Sequence, residues 1–313
     1  MRVAILGANG YLGRHLTKAL DDDGGYHLTL IDKSIMLDRH SSPHVAMQKD
    51  ITCLEDREDM ARALLECDVI CYKMGLLGIP NLSDDIHHLG QFFEQNVNSF
   101  FELFQRCHAL DSAFFERVKI LVDSSVMRFG GVGDVLQVDE DSRAQLPINN
   151  YGLSKHSLEA ICDYLSAVFN ANIHILRYTR VTSAEAKNVI SIFVKKAQNN
   201  EDILLTGNVD KRLNFVHIED ATALSKSLIL CAISRQVWHC GGAENLTLMQ
   251  LAETVVDVAM SNSLIKVSAE SSHMVKEVEQ LYFSDAKTRR ILGLSQARPL
   301  RDIIEELLQK KGQ

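Results

Sequence analysis

Val3-Ala4-Ile5-Leu6-Gly7-Ala8-Asn9-Gly10-Tyr11-Leu12-Gly13 decides the fold of this chain. The four apolar residues form a run suited to a strand buried on both faces. Gly7, Gly10 and Gly13 punctuate the turn that follows, and a helical pattern then runs to about Leu20. A strand, a glycine-rich turn and a helix, in that order, make a seat for a pyrophosphate. The first glycine permits the tight turn, the second lets backbone approach the phosphates, and the third lets helix and sheet pack closely. The opening of the helix, from Asn9 through Tyr11 and Leu12, presents free N–H groups and partial positive charge to an anion. The spacing is G-x-x-G-x-x-G rather than G-x-G-x-x-G, and glycines so placed also mark ordinary strand–helix turns.

Working outward, a second apolar run, Leu28 to Ile31, ends at Asp32. A carboxylate about 20 residues beyond the glycine turn accepts hydrogen bonds from a ribose 2′-hydroxyl and repels a 2′-phosphate. This favours NAD over NADP, although the adjacent Lys33 can pair with a phosphate. Asp50-Ile51 closes the next polar segment, where an aspartate can bond an adenine amine. Further strand-like runs are Val69 to Tyr72, Lys119 to Val122 and Ile173 to Leu176, with helix-length stretches such as Glu55 to Leu65 and Phe92 to His108 between them. Strand alternating with helix predicts an α/β fold whose parallel sheet is covered on both faces.

With 313 residues, 46% of them hydrophobic, the chain can build one large α/β domain and a smaller lobe. The formal net charge of −8 argues against a nucleic-acid partner. No apolar run approaches the ~20 residues of a membrane span, and no signal-peptide pattern opens the chain, so a cytoplasmic protein is expected. Seven scattered cysteines without paired C-x-x-C spacing predict reduced thiols and no metal site.

Tyr151-Gly152-Leu153-Ser154-Lys155 places a phenol and an ammonium on one helix face. A free tyrosine, with a pKa of about 10, is a poor base at neutral pH. A neighbouring ammonium and a nicotinamide cation both favour its phenolate, which can take a proton from an alcohol. The bland alternative is an amphipathic helix with Leu153, Leu158, Ile161 and Leu165 inside. The ordered set of glycine turn, Asp32, Asp50-Ile51, Asn96-Val97-Asn98, Asp123-Ser124-Ser125, Tyr151 to Lys155, Leu176-Arg177-Tyr178, Arg212 to Asp220 and Gly241 to Thr247 resembles the extended short-chain dehydrogenase/reductase family, in its NAD-dependent epimerase/dehydratase branch.

The resemblance implies a Rossmann-type, doubly wound parallel sheet with a smaller C-terminal substrate-binding lobe. Residues 1–178, with 213–240 returning, would hold NAD, and 179–212 with 241–313 would hold a nucleotide-sugar substrate. It implies Ser125 as the catalytic hydroxyl, with Ser124 the neighbouring candidate, and Tyr151 and Lys155 as its partners. Lys155 would also hold the nicotinamide ribose. Asn96 and Lys73 would lie near the cofactor, and Arg180, Asn188 and Arg212 near the substrate. Three positions depart from the family pattern: Arg180 where epimerases usually have asparagine, Lys73-Met74 in place of a small pair, and Asn150 in place of a proline. Dehydratases and decarboxylases of this family normally carry acids directly after the catalytic hydroxyl; here Val126, Met127 and Arg128 follow. A C4 epimerase and a 4-keto-sugar reductase using NAD(P)H therefore remain, with a non-catalytic dinucleotide sensor as a third reading. Family members commonly form homodimers by pairing two helices per subunit, here about 92–108 and 151–168.

Overall fold

The computed structural model describes residues 1–34, 44–77, 85–129, 135–142, 146–268 and 280–310. Its first half runs β1 (Arg2–Leu6), α1 (Tyr11–Asp23), β2 (His27–Asp32), β3 (Val45–Gln48), α2 (Leu54–Leu64), β4 (Val69–Tyr72), α3 (Leu89–Phe93), α4 (Ser99–Leu110), α5 (Phe114–Arg117), β5 (Lys119–Ser125), β6 (Val135–Val138) and α6 (Asn150–Val168). The second half runs β7 (Asn172–Tyr178), β8 (Arg180–Thr182), α7 (Val189–Gln198), β9 (Ile203–Thr206), β10 (Arg212–His217), α8 (Ile218–Leu230), β11 (Val237–Cys240), β12 (Asn245–Thr247), α9 (Leu248–Val258), β13 (Ile265–Ser268), β14 (Gln280–Phe283), α10 (Ala286–Leu292) and α11 (Leu300–Lys310).

Seven strands form one parallel sheet in the order β11-β7-β5-β4-β1-β2-β3. Alternating side chains divide between two cores, as a strand's period of two requires. Ile70, Ile120 and Val122 face α2, α4 and α6, whereas Cys71, Leu121 and Leu176 face α1 and α8. The chain reverses direction across the sheet between β1 and β4, so a crevice opens beyond their C-terminal ends, where such sheets bind ligands. The expected α/β architecture is present.

The stretch 213–240 divides between layers. α8 packs on α1 and β11 forms an edge of the large sheet, but β10 pairs with β8 and β12 in a separate three-stranded sheet. A third core, among α7, α9 and α11, lies under this second group of elements.

Candidate active site

The glycine turn is shaped by close approaches. Gly7 has φ of 80°, and a Cβ there would lie 2.8 Å from the Lys73 carbonyl oxygen. A Cβ on Gly13 would lie 2.0 Å from the Gly7 carbonyl oxygen, so only glycine lets α1 start this near β1. Gly10 precedes α1 in extended conformation, and no side chain caps the helix. The first-turn N–H groups, including those of Tyr11 and Leu12, have no acceptor within the helix. The Tyr11 side chain turns elsewhere and donates to Ser183 Oγ at 2.8 Å.

Asp32, at the end of β2, is buried and pins the turn: Oδ2 accepts from Asn9 N at 3.1 Å and Oδ1 from Ser34 N at 3.0 Å. The Asn9 amide in turn donates to Ser34 O at 2.6 Å. A cleft of ≈ 220 Å³ runs from Gly7 and Gly10 past Asp32 and Lys33 to Asp50 and Ile51. Met74, of the Lys73-Met74 departure, also lines it, as do Thr52, Gly75 and Gln95, positions that carry no motif of their own. Thr52 donates backbone and hydroxyl hydrogens to Asp50 Oδ1 at 2.9 and 2.8 Å; these bonds hold the Asp50 carboxyl below its usual range.

Ser125 ends β5 and Tyr151 opens α6, and the Ser125 hydroxyl is near enough to the Tyr151 phenol to favour its ionised form. Asn149 caps α6, accepting from Gly152 N at 2.7 Å. A Cβ on Gly152 would meet the Met127 carbonyl oxygen at 2.2 Å. That missing side chain lets α6 settle on the turn Val126–Arg128 and brings Tyr151 to Ser125. Lys155 is buried, donates to Asp123 O at 2.9 Å, and lies 6.0 Å from the Tyr151 ring centre. Burial pushes the Tyr151 phenol up to about 12; the Ser125 hydroxyl pulls it down and Asp123 pushes it up. Burial also lowers Lys155, against the pull of Asp123 and Glu159. The phenol is therefore protonated at neutral pH in the protein by itself.

Strand alternation separates the two candidate serines. Ser124 points to the other face and donates to Glu159 Oε1 at 2.5 Å. Glu159 also pairs with Arg177 at 2.8 Å and Arg128 at 2.9 Å, so Arg128 neutralises a buried carboxylate.

Three expected contacts take another form. The Lys73 backbone lines the cleft, but its ammonium is buried below it, 2.7 Å from Asp123 Oδ1. Asn188 caps α7: Oδ1 accepts from Ile190 N and Ser191 N, and Nδ2 donates to Thr182 Oγ1. That side chain thus has a structural task at a helix terminus. Asn96 is fully buried and clamps Leu76 through N–H and C=O while donating to Ser154 Oγ at 2.9 Å. It sits in a π-helical turn, Glu94–Asn98, and links the rim of the cleft to α6.

Arg180 and Arg212 line one small second cleft with Asn149 and with Val126 and Met127, the two residues that follow Ser125. Arg212 donates to Asn245 O at 3.0 Å and stacks 4.6 Å from the Tyr282 ring centre. His217 and Asp220 tie layers together, His217 to Glu306 at 3.2 Å and Asp220 to the Arg298 N–H at 3.1 Å.

The family model of the NAD dependent epimerase/dehydratase family matches residues 3–232. The chain belongs to the NAD-dependent epimerase/dehydratase family. Across 98% of its length it is 23% identical to the UDP-glucose 4-epimerase of Streptococcus mutans serotype c, covering 95% of that protein. Over 44% of its length, and 44% of the other chain, it is 27% identical to a dTDP-4-dehydro-6-deoxyglucose reductase of Escherichia coli. Its fold resembles that of the UDP-glucuronic acid 4-epimerase of Bacillus cereus solved with UDP-glucuronic acid and NAD, at a TM-score of 0.82 and 19% identity, covering 99% of this chain and 100% of that one. NAD, the cofactor of the family, suits the residues of the first cleft: an uncapped helix N-terminus for the pyrophosphate and a buried carboxylate, Asp32, with lone pairs left for ribose hydroxyls. Among the described residues no helix is long and apolar enough to cross a membrane, and no cluster of metal-ligating side chains occurs.

Proposed function

We propose that the chain is an NAD-dependent nucleotide-sugar epimerase acting at C4 through a transient 4-keto sugar. The observation that carries this reading is the meeting of Ser125, at the end of β5, with Tyr151, at the start of α6, backed by Lys155 and followed by Val126-Met127-Arg128 with no acid. Ser125 orients the C4 hydroxyl, and Tyr151 takes its proton. Held by the glycine turn and Asp32, NAD would supply a reversible acceptor for the C4 hydride, from which either face of the ketone could be reduced with no net reductant consumed. Lys155 holds the nicotinamide ribose and favours the Tyr151 phenolate. Tyr151 then gives the proton back. Elimination and decarboxylation call for a further acid–base group, and Arg128 is tied to Glu159.

On this reading residues 1–178 and 213–240 hold the dinucleotide, and 179–212 with 241–313 hold the sugar nucleotide. Gly7, Gly10 and Gly13, with the N–H groups of Tyr11 and Leu12, cradle the pyrophosphate, while Asn9, whose own N–H goes to Asp32, holds the turn in shape. Asp32 and Lys33 frame the adenosine ribose, while Asp50 and Ile51 meet the adenine. Arg212 and Arg180 meet the substrate diphosphate and sugar, a UDP-sugar by likeness to the relatives. Exposed Phe101 on α4 and Tyr164 and Val168 on α6 support pairing of two copies through these helices. We infer a cytoplasmic homodimer; a single-subunit mass in light scattering would remove that part of the reading.

The test is a panel of nucleotide sugars and 4-keto sugars, followed by stereochemistry and nicotinamide absorbance. Epimerised product without net change in absorbance is expected. Stoichiometric loss of NAD(P)H with a 4-keto sugar would make the chain a reductase, the reading that the Escherichia coli relative favours. Tight NAD binding without turnover on any member would make it a dinucleotide sensor.

A further inference from the structure

A buried polar cluster lies on the α8 side of the sheet, beneath the end of β5. Lys73 Nζ follows β4 and donates to Asp123 Oδ1 at 2.7 Å, Ser225 Oγ at 3.0 Å and the Tyr178 hydroxyl at 3.3 Å. It also lies 5.6 Å from the centre of the Tyr178 ring. The Lys73 side chain is 1% exposed and that of Asp123 9%. Asp123 Oδ2 is buried and has no hydrogen-bond partner in the structure. One ammonium is thus the direct counter-charge to a carboxylate that water does not screen.

Asp123 is joined to the catalytic arm in two ways. Its carbonyl oxygen accepts from Lys155 Nζ at 2.9 Å, and Ser125 lies two residues on along the same strand face. We propose that Lys73 is a positioning residue for proton transfer: its ion pair with Asp123 fixes the end of β5 and cancels the carboxylate's field on Tyr151 and Lys155.

The groups facing Asp123 are few. β4 brings Cys71 and Lys73, β7 brings Tyr178, α8 brings Ser225, and α6 brings Tyr151 and Lys155. Cys71 is pushed up to about 12 by burial and is neutral. Burial and Asp123 raise the Tyr178 phenol, which therefore stays neutral too. Burial pushes Lys73 down, but Asp123 more than offsets this and leaves it charged. Among the described residues, Lys73 and Lys155 are therefore the cations set against this carboxylate. Lys155 reaches its main-chain oxygen, and Lys73 reaches the carboxylate itself. Without Lys73, the carboxylate would lose its direct counter-charge, and its field on Tyr151 would make the phenolate harder to form.

This inference rests on Tyr151 as the proton-transfer group of the proposed epimerase. The experiment measures kcat against pH for the NAD-loaded full chain on whichever nucleotide sugar it turns over. Lys73→Met keeps length and bulk but removes the charge. The limb assigned to Tyr151 is expected to move up by about one pH unit or more, and Lys73→Met/Asp123→Asn is expected to bring it back. A purely structural lysine would lower kcat at every pH and leave the limb in place, which overturns the inference. Should Lys73→Met not fold, Asp123→Asn leaves the ammonium as the uncancelled charge and is expected to move the limb down. A limb at or above the wild-type position in that variant also overturns it. Tyr151→Phe separates this inference from the underlying reading: retained turnover there removes Tyr151 from the mechanism, whereas an inactive Tyr151→Phe with an unmoved limb in Lys73→Met refutes only the role of Lys73.

Discussion

A Cβ on Gly152 would press on the Met127 carbonyl oxygen, so Gly152→Ala must push α6 away from the turn after Ser125. The Tyr151 and Ser125 hydroxyls would then separate while the dinucleotide cleft stays as it is. A misplacement of about 1 Å at reacting groups can lower rate about 100-fold. We expect Gly152→Ala to lose kcat on that scale with NAD affinity unchanged, read by steady-state kinetics beside calorimetric titration. Ser125→Ala should lower kcat by a similar or larger factor, about 10²–10³. Asn188 belongs to a different class. Its bonds go to the first turn of α7 and to Thr182, so Asn188→Ala should cost about 1 kcal/mol of stability in urea unfolding. An increased KM with unchanged stability would return Asn188 to the substrate pocket. A single sequence could not separate these cases, since an amide that caps a helix and one that meets a sugar are the same residue. Lys73 was opaque for a related reason: lysine is rarely buried unless paired, and its partner Asp123 is fifty residues away.

Among elements, α1 has the strictest start. A Cβ on Gly13 overlaps the Gly7 carbonyl, so Gly13→Ala should displace the helix N-terminus and weaken NAD binding at least tenfold, measured by calorimetry. Unchanged affinity would mean that the pyrophosphate does not sit at this turn. The strands β1, β2, β4, β5 and β7 were legible because buried parallel strands are unbroken apolar runs. β3 was not, since Val45-Ala46-Met47-Gln48 is a short, partly exposed edge strand. The stretch Phe92 to His108 reads as one helix, yet a π-helical turn interrupts it; one extra residue per turn leaves little trace in hydrophobic spacing. Leu213-Asn214-Phe215-Val216 reads as a strand wherever it pairs. Pattern does not name the partner, and β10 joins β8 and β12 rather than the large sheet.

At the scale of the whole molecule, buried histidines bind the stability of the fold to pH. His174 accepts from Trp238 Nε1 at 2.9 Å, which fixes it as a neutral ring whose other nitrogen carries the hydrogen. His239 receives Arg177 at one nitrogen and faces the Ser284 carbonyl at the other, an arrangement met by the neutral ring donating to Ser284. Burial lowers both to about 4. In the unfolded chain they titrate near 6.5, so between about pH 6.5 and 4 the unfolded state binds more protons than the native state. Their contribution is therefore fully present above about pH 6.5 and falls as the pH drops toward 4. The slope approaches about 1.4 kcal/mol per pH unit for each histidine. Urea midpoints taken across this window should decline with pH, and His174→Gln/His239→Gln should flatten the decline even if it lowers stability at neutral pH. A variant that retains the full wild-type slope would assign the acid sensitivity to other groups, with His217, whose pKa burial also lowers, the first to replace.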